Sequence, residues 1–243
     1  MDARPRVIFI LVETKYPGNI GLCARAIKNF GFMDLVLVRP LCNIAEEAYY
    51  RSMHARDVVE AIRIYESIEG LIEREHVDYL IGTTARVGSE KNPLRISIPL
   101  NLFRRITFPL ASTIGILFGN EERGLRNEDL AKCDIILTIP TSEIYPTLSL
   151  SHAVAIVAYE LSLSLGTSRE LPYRPATWTE RRILIERLHG ILEIVGAGMP
   201  EGKRKIYARI LENMVRRAFL SGREAHSLIG LFSRTLRLLE RCR

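Results

Sequence analysis

Five short apolar runs punctuate the first two thirds of this 243-residue chain: Val7 to Val12, Leu35 to Val38, Tyr79 to Ile81, Ile114 to Phe118 and Ile135 to Ile139. Each run is apolar almost throughout, the signature of a strand buried on both faces. Between them the period lengthens to that of helices, over Ile20 to Phe30, over Asp57 to Tyr65 behind the spaced acids Asp57 and Glu60, and over Ser151 to Leu165. Strands alternating with helices predict an α/β domain built on a mostly parallel sheet.

The pattern changes after residue 165. Gly166 to Pro175 gathers Gly, Thr, Ser and the prolines Pro172 and Pro175, which cannot prolong a helix. Beyond it every period is helical. Thr177 and Glu180 have the spacing of a capping box ahead of Leu184, Leu188, Ile191 and Val195, and Gly196 to Pro200 ends that helix. A second helix is expected to turn Ile206, Ile210 and Met214 inward on one face. A third opens at Ser221 and Glu224 and runs through Leu228, Phe232, Leu236 and Leu239. The expected division is an α/β domain over 1–167, a linker over 168–175 and a small all-helical extension over 176–243, a size that suits one full core with an appended unit.

Charge sharpens that division. Residues 1–167 hold 18 Lys and Arg against 20 Asp and Glu, whereas residues 168–243 hold 16 against 8, so the excess of +8 is wholly in the extension. An acidic-to-neutral core with a basic attachment points to a polyanionic partner, nucleic acid being the commonest. Lys203, Arg204, Lys205, Arg209, Arg216 and Arg217 crowd the second helix of the extension and are candidates for a phosphate-contacting stripe. No apolar run approaches the roughly 18 residues of a membrane span, and Met1 to Arg6 lacks the plan of a signal peptide, so a cytoplasmic protein is expected. Cys23, Cys42, Cys133 and Cys242 are scattered without a CxxC pair or a nearby His, which predicts reduced thiols and no metal site.

Three segments carry candidate chemistry. The first, Tyr16 to Gly31, follows the first strand with Pro-Gly-Asn and places Arg25 on the ensuing helix; the plainer role for Asn19 is to cap that helix. The second, Leu117-Phe-Gly-Asn-Glu-Glu-Arg-Gly-Leu125, ends another strand. Its glycine spacing approaches that of a phosphate loop, but Leu125 and Arg126 stand where Lys and Ser or Thr are required. The third runs from Ile139-Pro140 through Tyr145 to Pro-Thr-Leu-Ser-Leu-Ser-His-Ala-Val154, with hydroxyls at Thr147, Ser149 and Ser151 that can cap the helix they precede. His152 lacks a GxSxG elbow and reads as structural or peripheral, and no GxGxxG occurs for a dinucleotide.

Taken together, in this order and spacing, the three segments resemble the signature motifs of the SPOUT ribose methyltransferases. The likeness covers residues 6–165, and the helical tail resembles the extension of the TrmJ-like branch. The resemblance implies a SPOUT fold with a deep trefoil knot in the last part of the α/β domain. It also implies S-adenosylmethionine (SAM) as methyl donor, S-adenosylhomocysteine as product and no metal. Carried over by position, the cofactor contacts fall at Thr83, Thr84, Ala85, Gly119, Ile139, Pro146, Thr147 and Leu148. The catalytic positions fall at Asn19, Arg25, Glu121 and Thr147, with Arg25 also touching RNA. Where members of the family commonly read Ser-Leu-Asn, this chain reads Thr147-Leu148-Ser149.

The implied reaction is methyl transfer to a ribose 2′-hydroxyl of tRNA, at cytidine or uridine 32 of the anticodon loop, by a homodimer in which one subunit's arginine reaches the other's pocket. The alternatives are a catalytically weak RNA-binding protein of the same fold and a ribose methyltransferase acting elsewhere on tRNA or rRNA.

Overall fold

In a computed structural model, which describes residues 5–85, 96–103, 106, 108–109, 111–165 and 173–241, the apolar runs assemble into one seven-stranded sheet. The strands are β1 (Arg6–Val12), β2 (Asp34–Val38), β3 (Arg63–Tyr65), β4 (Tyr79–Thr83), β5 (Ile98–Pro99), β6 (Thr113–Phe118) and β7 (Ile135–Thr138). Their order is β3-β2-β1-β6-β4-β7-β5, and every pairing among them is parallel. The register sets Leu11 beside Phe118 and Gly82 beside Leu117, so β1, β6 and β4 finish level with one another. The chain leaves β1 for β2 on one side, while β6 and β4 lie on its other side. The loops that follow these strand ends therefore open at a reversal of strand order, where open α/β sheets place their ligands.

The helices of this unit are α1 (Pro17–Asn29), α2 (Glu46–Ser52), α3 (Arg56–Glu60), α4 (Ile68–Glu75), α5 (Leu100–Phe103), α6 (Asn127–Leu130) and α7 (Leu150–Ser164). Helices α1 and α2 cross closely: a Cβ at Gly21 would lie 2.1 Å from the carbonyl oxygen of Ala48, a contact no side chain permits. The middle strands are apolar on both faces, with Phe9 stacked on Phe118 and tilted against Phe32. At the other end of the sheet, Arg6 and Arg63 share the carboxylates of Asp34 and Glu75.

One expected helix is mostly not a helix. Of the stretch Asp57 to Tyr65 only the beginning is helical, as part of α3, and Arg63–Tyr65 forms the edge strand β3 against β2. Asp57 lies in the first turn of α3, and its carboxylate takes Lys28 Nζ at 2.7 Å. The alternation Arg63, Ile64, Tyr65 is a two-residue period that suits a strand exposed on one face.

The chain divides into two compact units, 1–170 and 171–243. Of the expected linker 168–175, residues 168–172 lie outside the described residues. The second unit consists of α8 (Trp178–Val195), α9 (Glu201–Arg217) and α10 (Gly222–Arg241). Helix α8 begins with a complete capping box in which Thr177 and Glu180 satisfy each other's backbone N–H groups, and Ser221 with Glu224 repeats the arrangement before α10. Its core is Leu184, Ile185, Leu188 and Val215, with Leu211, Leu228 and Phe232 packed against it.

Helix α9 is rotated from the expected orientation. Ile206, Ile210 and Met214 are each about half exposed, at 52%, 49% and 57%, whereas Val215 is buried and Leu211 packs beside it. Both apolar rows have helical spacing, so periodicity alone does not choose between them. Among the described residues no helix is long and apolar enough to cross a membrane.

Candidate functional site

The strand ends of β4, β6 and β7, with the segment leading into α7, enclose a cavity of about 340 Å³. Thr83, Thr84 and Ala85 line it from the end of β4, Gly119 from the end of β6, and Ile139 from just beyond β7; Pro146, Thr147 and Leu148 line it from the approach to α7. These are the eight positions expected at the cofactor, and Phe118, Glu121, Arg123 and Leu125 join them. Thr83 Oγ1 donates to the Leu117 carbonyl at 2.8 Å, and Thr84 N donates to Leu137 at 2.9 Å, so the threonines are fixed by β6 and β7. Gly119 is required by the loop itself: a Cβ there would fall 2.0 Å from Leu125 N.

Beside this cavity Glu121 is held by three donors, two from the turn after β1 and one from the first motif. Thr14 Oγ1 and Asn19 Nδ2 both donate to its Oε1, at 2.8 and 2.9 Å, and Lys15 N donates to Oε2 at 3.0 Å. Partial burial pushes the carboxyl up, but the bonds from Asn19, its own backbone N–H, Thr14 and Lys15 outweigh it and keep Glu121 below the ordinary carboxylate range. A carboxylate so engaged acts as a clamp between two loops. The plainer role for Asn19 is thereby displaced: the residue capping α1 is Tyr16, which makes no side-chain cap bond, and Asn19 spends its amide on Glu121.

Arg25 lies on the exposed side of α1 and does not line this cavity. In the third segment Ser149 is the cap of α7, accepting from His152 N at 3.4 Å and lying 2.8 Å from His152 Nδ1. Asn caps helices as well as Ser, so the departure from Ser-Leu-Asn preserves this local role. Among the described residues no three of His, Cys, Asp and Glu gather as metal ligands. Cys23, Cys42 and Cys133 form no disulfide among the described residues, the first being pushed up by complete burial, and Cys242 lies outside the described residues.

The sequence model of the family described as SpoU rRNA Methylase matches residues 6–159, a span that contains every element of this site. The chain belongs to the SpoU methylase family. Within that family it is 36% identical, over 92% of its own length and 96% of the relative's, to tRNA (cytidine-2'-O-)-methyltransferase TrmJ of Methanocaldococcus jannaschii. It is 28% identical, over 95% and 93%, to tRNA (cytidine/uridine/adenosine-2'-O-)-methyltransferase TrmJ of Pseudomonas aeruginosa. Among solved structures, TrmJ from Z. mobilis ZM4 superimposes with a TM-score of 0.73 at 26% identity, covering 95% of this chain and 98% of that one. The matches to both TrmJ sequences extend across the helical extension, which places this SpoU methylase in the TrmJ-like branch.

The SpoU motifs do not contain the whole site. Glu13, in the left-handed region at φ 55°, is buried and collects Arg123 Nη2 at 2.5 Å, Arg126 Nη2 at 2.7 Å and Arg39 Nε at 3.3 Å, while its carbonyl takes Asn120 Nδ2 at 2.7 Å. Burial pushes its carboxyl up, and the bonds and charges of Arg123 and Arg126 bring it below the ordinary range. Its signal in the sequence is a lone acid directly after a six-residue apolar run.

The six basic residues of α9 differ in exposure. Lys203, Lys205 and Arg217 are exposed, whereas Arg204, Arg209 and Arg216 are half-buried. Arg204 pairs with Glu193 at 3.4 Å, Lys205 with Glu201 at 2.6 Å and Arg209 with Glu212 at 3.1 Å, and Lys203 lies over the Tyr207 ring.

Proposed function

We propose that this protein is a SAM-dependent methyltransferase acting on a ribose 2′-hydroxyl of tRNA. The observation that carries the reading is the meeting of eight cofactor positions in one cavity, beside an Asn19–Glu121 clamp, in a chain related along its length to tRNA 2′-O-methyltransferases.

The residues fit such a ligand. A cavity of about 340 Å³ suits a small molecule, and its lining mixes apolar side chains with threonine hydroxyls and exposed backbone. Thr83, Thr84, Ala85, Gly119, Ile139, Pro146, Thr147 and Leu148 would hold the cofactor. When bound, it supplies an electrophilic methyl group on a sulfonium. The protein's part is alignment and water exclusion, and positioning of this kind is worth roughly 7–11 kcal/mol of a barrier. Glu121, fixed as an anion, keeps Asn19 at the cavity rim. The part of Arg25, whose guanidinium carries donors and no acceptor, is to hold a phosphate of the substrate and steady the 2′ oxygen as its proton passes to water.

Arg25 is exposed on α1 and outside the lining of its own cavity, which supports a homodimer in which it serves the other subunit's site. The same family likeness supports a trefoil knot around the cofactor and a cytoplasmic place of work. We assign the target to cytidine or uridine 32 of the anticodon loop, with the exposed cations of α9 contributing to RNA affinity. Mapping 2′-O-methyl groups in tRNA from cells with and without the gene tests this directly. Loss of a single anticodon-loop methyl group supports the assignment, and an unchanged map overturns it.

A further inference from the structure

We propose that Arg123 binds the carboxylate at the amino-acid end of the methyl donor, and that Glu13 is the positioning residue that aims it. The proposal rests on the reading of the cavity as a SAM site.

SAM carries one anionic group, its carboxylate, beside an ammonium and a sulfonium. Among the described residues that line the cavity, Arg123 is the one cation, facing a lining that otherwise offers neutral groups and the carboxylates of Glu121 and Glu122. Glu121 is already engaged by Thr14, Lys15 and Asn19, and Glu122 by Lys15 Nζ at 2.6 Å, so neither competes strongly for the guanidinium.

Arg123 also differs from the two other arginines on Glu13. Arg39 is neutralised a second time by buried Asp129 at 2.8 Å, and Arg126 by Glu128 at 3.1 Å, whereas the ion pair of Arg123 is with Glu13 alone among the described residues. That bond uses a single nitrogen, Nη2. A guanidinium presents five N–H donors in a planar fork, and two parallel donors suffice for a carboxylate.

Glu13 is suited to aim the fork because it is itself immobile. It is buried and tied through its carbonyl to Asn120 in the loop that bears Arg123, and it is held in a backbone conformation that non-glycine residues keep only when their surroundings fix it. Two further arginines lock its carboxylate in place.

The test compares calorimetric binding of SAM with that of decarboxylated SAM, which keeps the nucleoside, sulfonium and ammonium. The wild-type protein should prefer SAM by about tenfold or more, the scale of one charge-assisted contact. Arg123→Ala should abolish that preference while leaving the affinity for decarboxylated SAM within about threefold, which also reports that the fold is intact. Arg123→Lys should keep part of the preference, since it retains the charge and loses the fork. Glu13→Gln should lower the preference with Arg123 still present, an effect that loss of packing alone would not direct at one group of the ligand.

Equal wild-type affinity for the two compounds, or a preference that survives Arg123→Ala, overturns the proposal. An Arg123→Ala protein that keeps the SAM preference but loses affinity for tRNA overturns it in favour of a phosphate contact. A wild-type protein that binds neither compound overturns the SAM reading itself.

Discussion

Asn19 Nδ2 donates to Glu121 Oε1 across 2.9 Å and 102 residues of chain, joining the first turn of α1 to the loop after β6. Because Thr14 and Lys15 bond the same carboxylate, the two loops behave as one body. Glu121→Gln would replace one acceptor oxygen by an amide that faces a donor. A lost bond to a charged acceptor, discounted for the partial exposure of Glu121, makes the expected destabilisation about 1–2 kcal/mol. The native carboxyl is held below its ordinary value of 4.5, so its contribution is full above that value and is lost as pH falls through the depressed one. Wild-type and variant unfolding curves should therefore differ at pH 7 and draw together as the pH falls through the depressed value. A difference independent of pH would mean that the clamp is not ionic.

Arg25→Ala should abolish methyl transfer while SAM affinity stays within about threefold, because Arg25 is absent from the cavity lining. Arg25→Lys should restore little, since a single ammonium cannot reproduce a two-point contact with phosphate. Turnover of the Ala variant at the wild-type rate with saturating tRNA would remove Arg25 from the reaction.

Five of the seven strands, the order of the three motifs and the helical tail are legible in the sequence because each rests on a local pattern that the fold leaves undisturbed. Thr177 and Glu180 are three residues apart, and their capping box needs nothing from elsewhere. The clamp on Glu121 and the gathering of arginines on Glu13 were not legible, since their partners meet only when β1 and β6 lie side by side. Asn19 illustrates the difference. Local chemistry favoured a cap, and the tertiary partner prevailed. Helix α9 was misjudged because Ile206, Ile210 and Met214 satisfy the same spacing as Leu211 and Val215, and the choice of face belongs to α8 and its neighbours.

The Thr177–Glu180 box should make α8 sensitive to acid. Arg174, ahead of the opposing effect of burial and the further bonds from Thr177, holds the Glu180 carboxyl down to about 2. A depressed value stabilises the folded state above the ordinary 4.5 and ceases to do so as pH falls toward about 2. Thr177→Ala should cost about 1 kcal/mol at pH 7. Glu180→Gln should cost stability at pH 7 and much less at pH 2.5, as followed by thermal unfolding of the full chain. A Glu180→Gln penalty that is the same at both values would exclude the ionic contribution.

Val215 and Ile210, five residues apart on α9, should respond oppositely to truncation. Val215 is 4% exposed within the helical core, so Val215→Ala leaves a cavity and should cost about 1–3 kcal/mol. Ile210 is exposed, and Ile210→Ala should fall within about 0.5 kcal/mol of wild type. Denaturant midpoints of the two variants decide the orientation of the helix. A larger loss at Ile210 would mean that its row is the buried one.

The salt dependence of tRNA binding should separate the cations of α9 that are available to phosphate from those already spent. Lys203 and Arg217 are exposed without a carboxylate partner among the described residues, whereas Arg204 and Arg209 are half-buried against Glu193 and Glu212. Each cation that touches a phosphate releases counterions on binding, and its removal flattens the plot of log affinity against log salt by about 0.7–0.9. Lys203→Ala with Arg217→Ala should thus lower the slope by about 1.5 and weaken binding uniformly across tRNA sequences. Arg204→Ala with Arg209→Ala removes the same formal charge, yet it leaves two carboxylates uncovered and should change stability more than slope. Equal slopes for the two double variants would show that the extension meets RNA through its overall field, and an unchanged slope in both would move the phosphate contacts to residues outside α9.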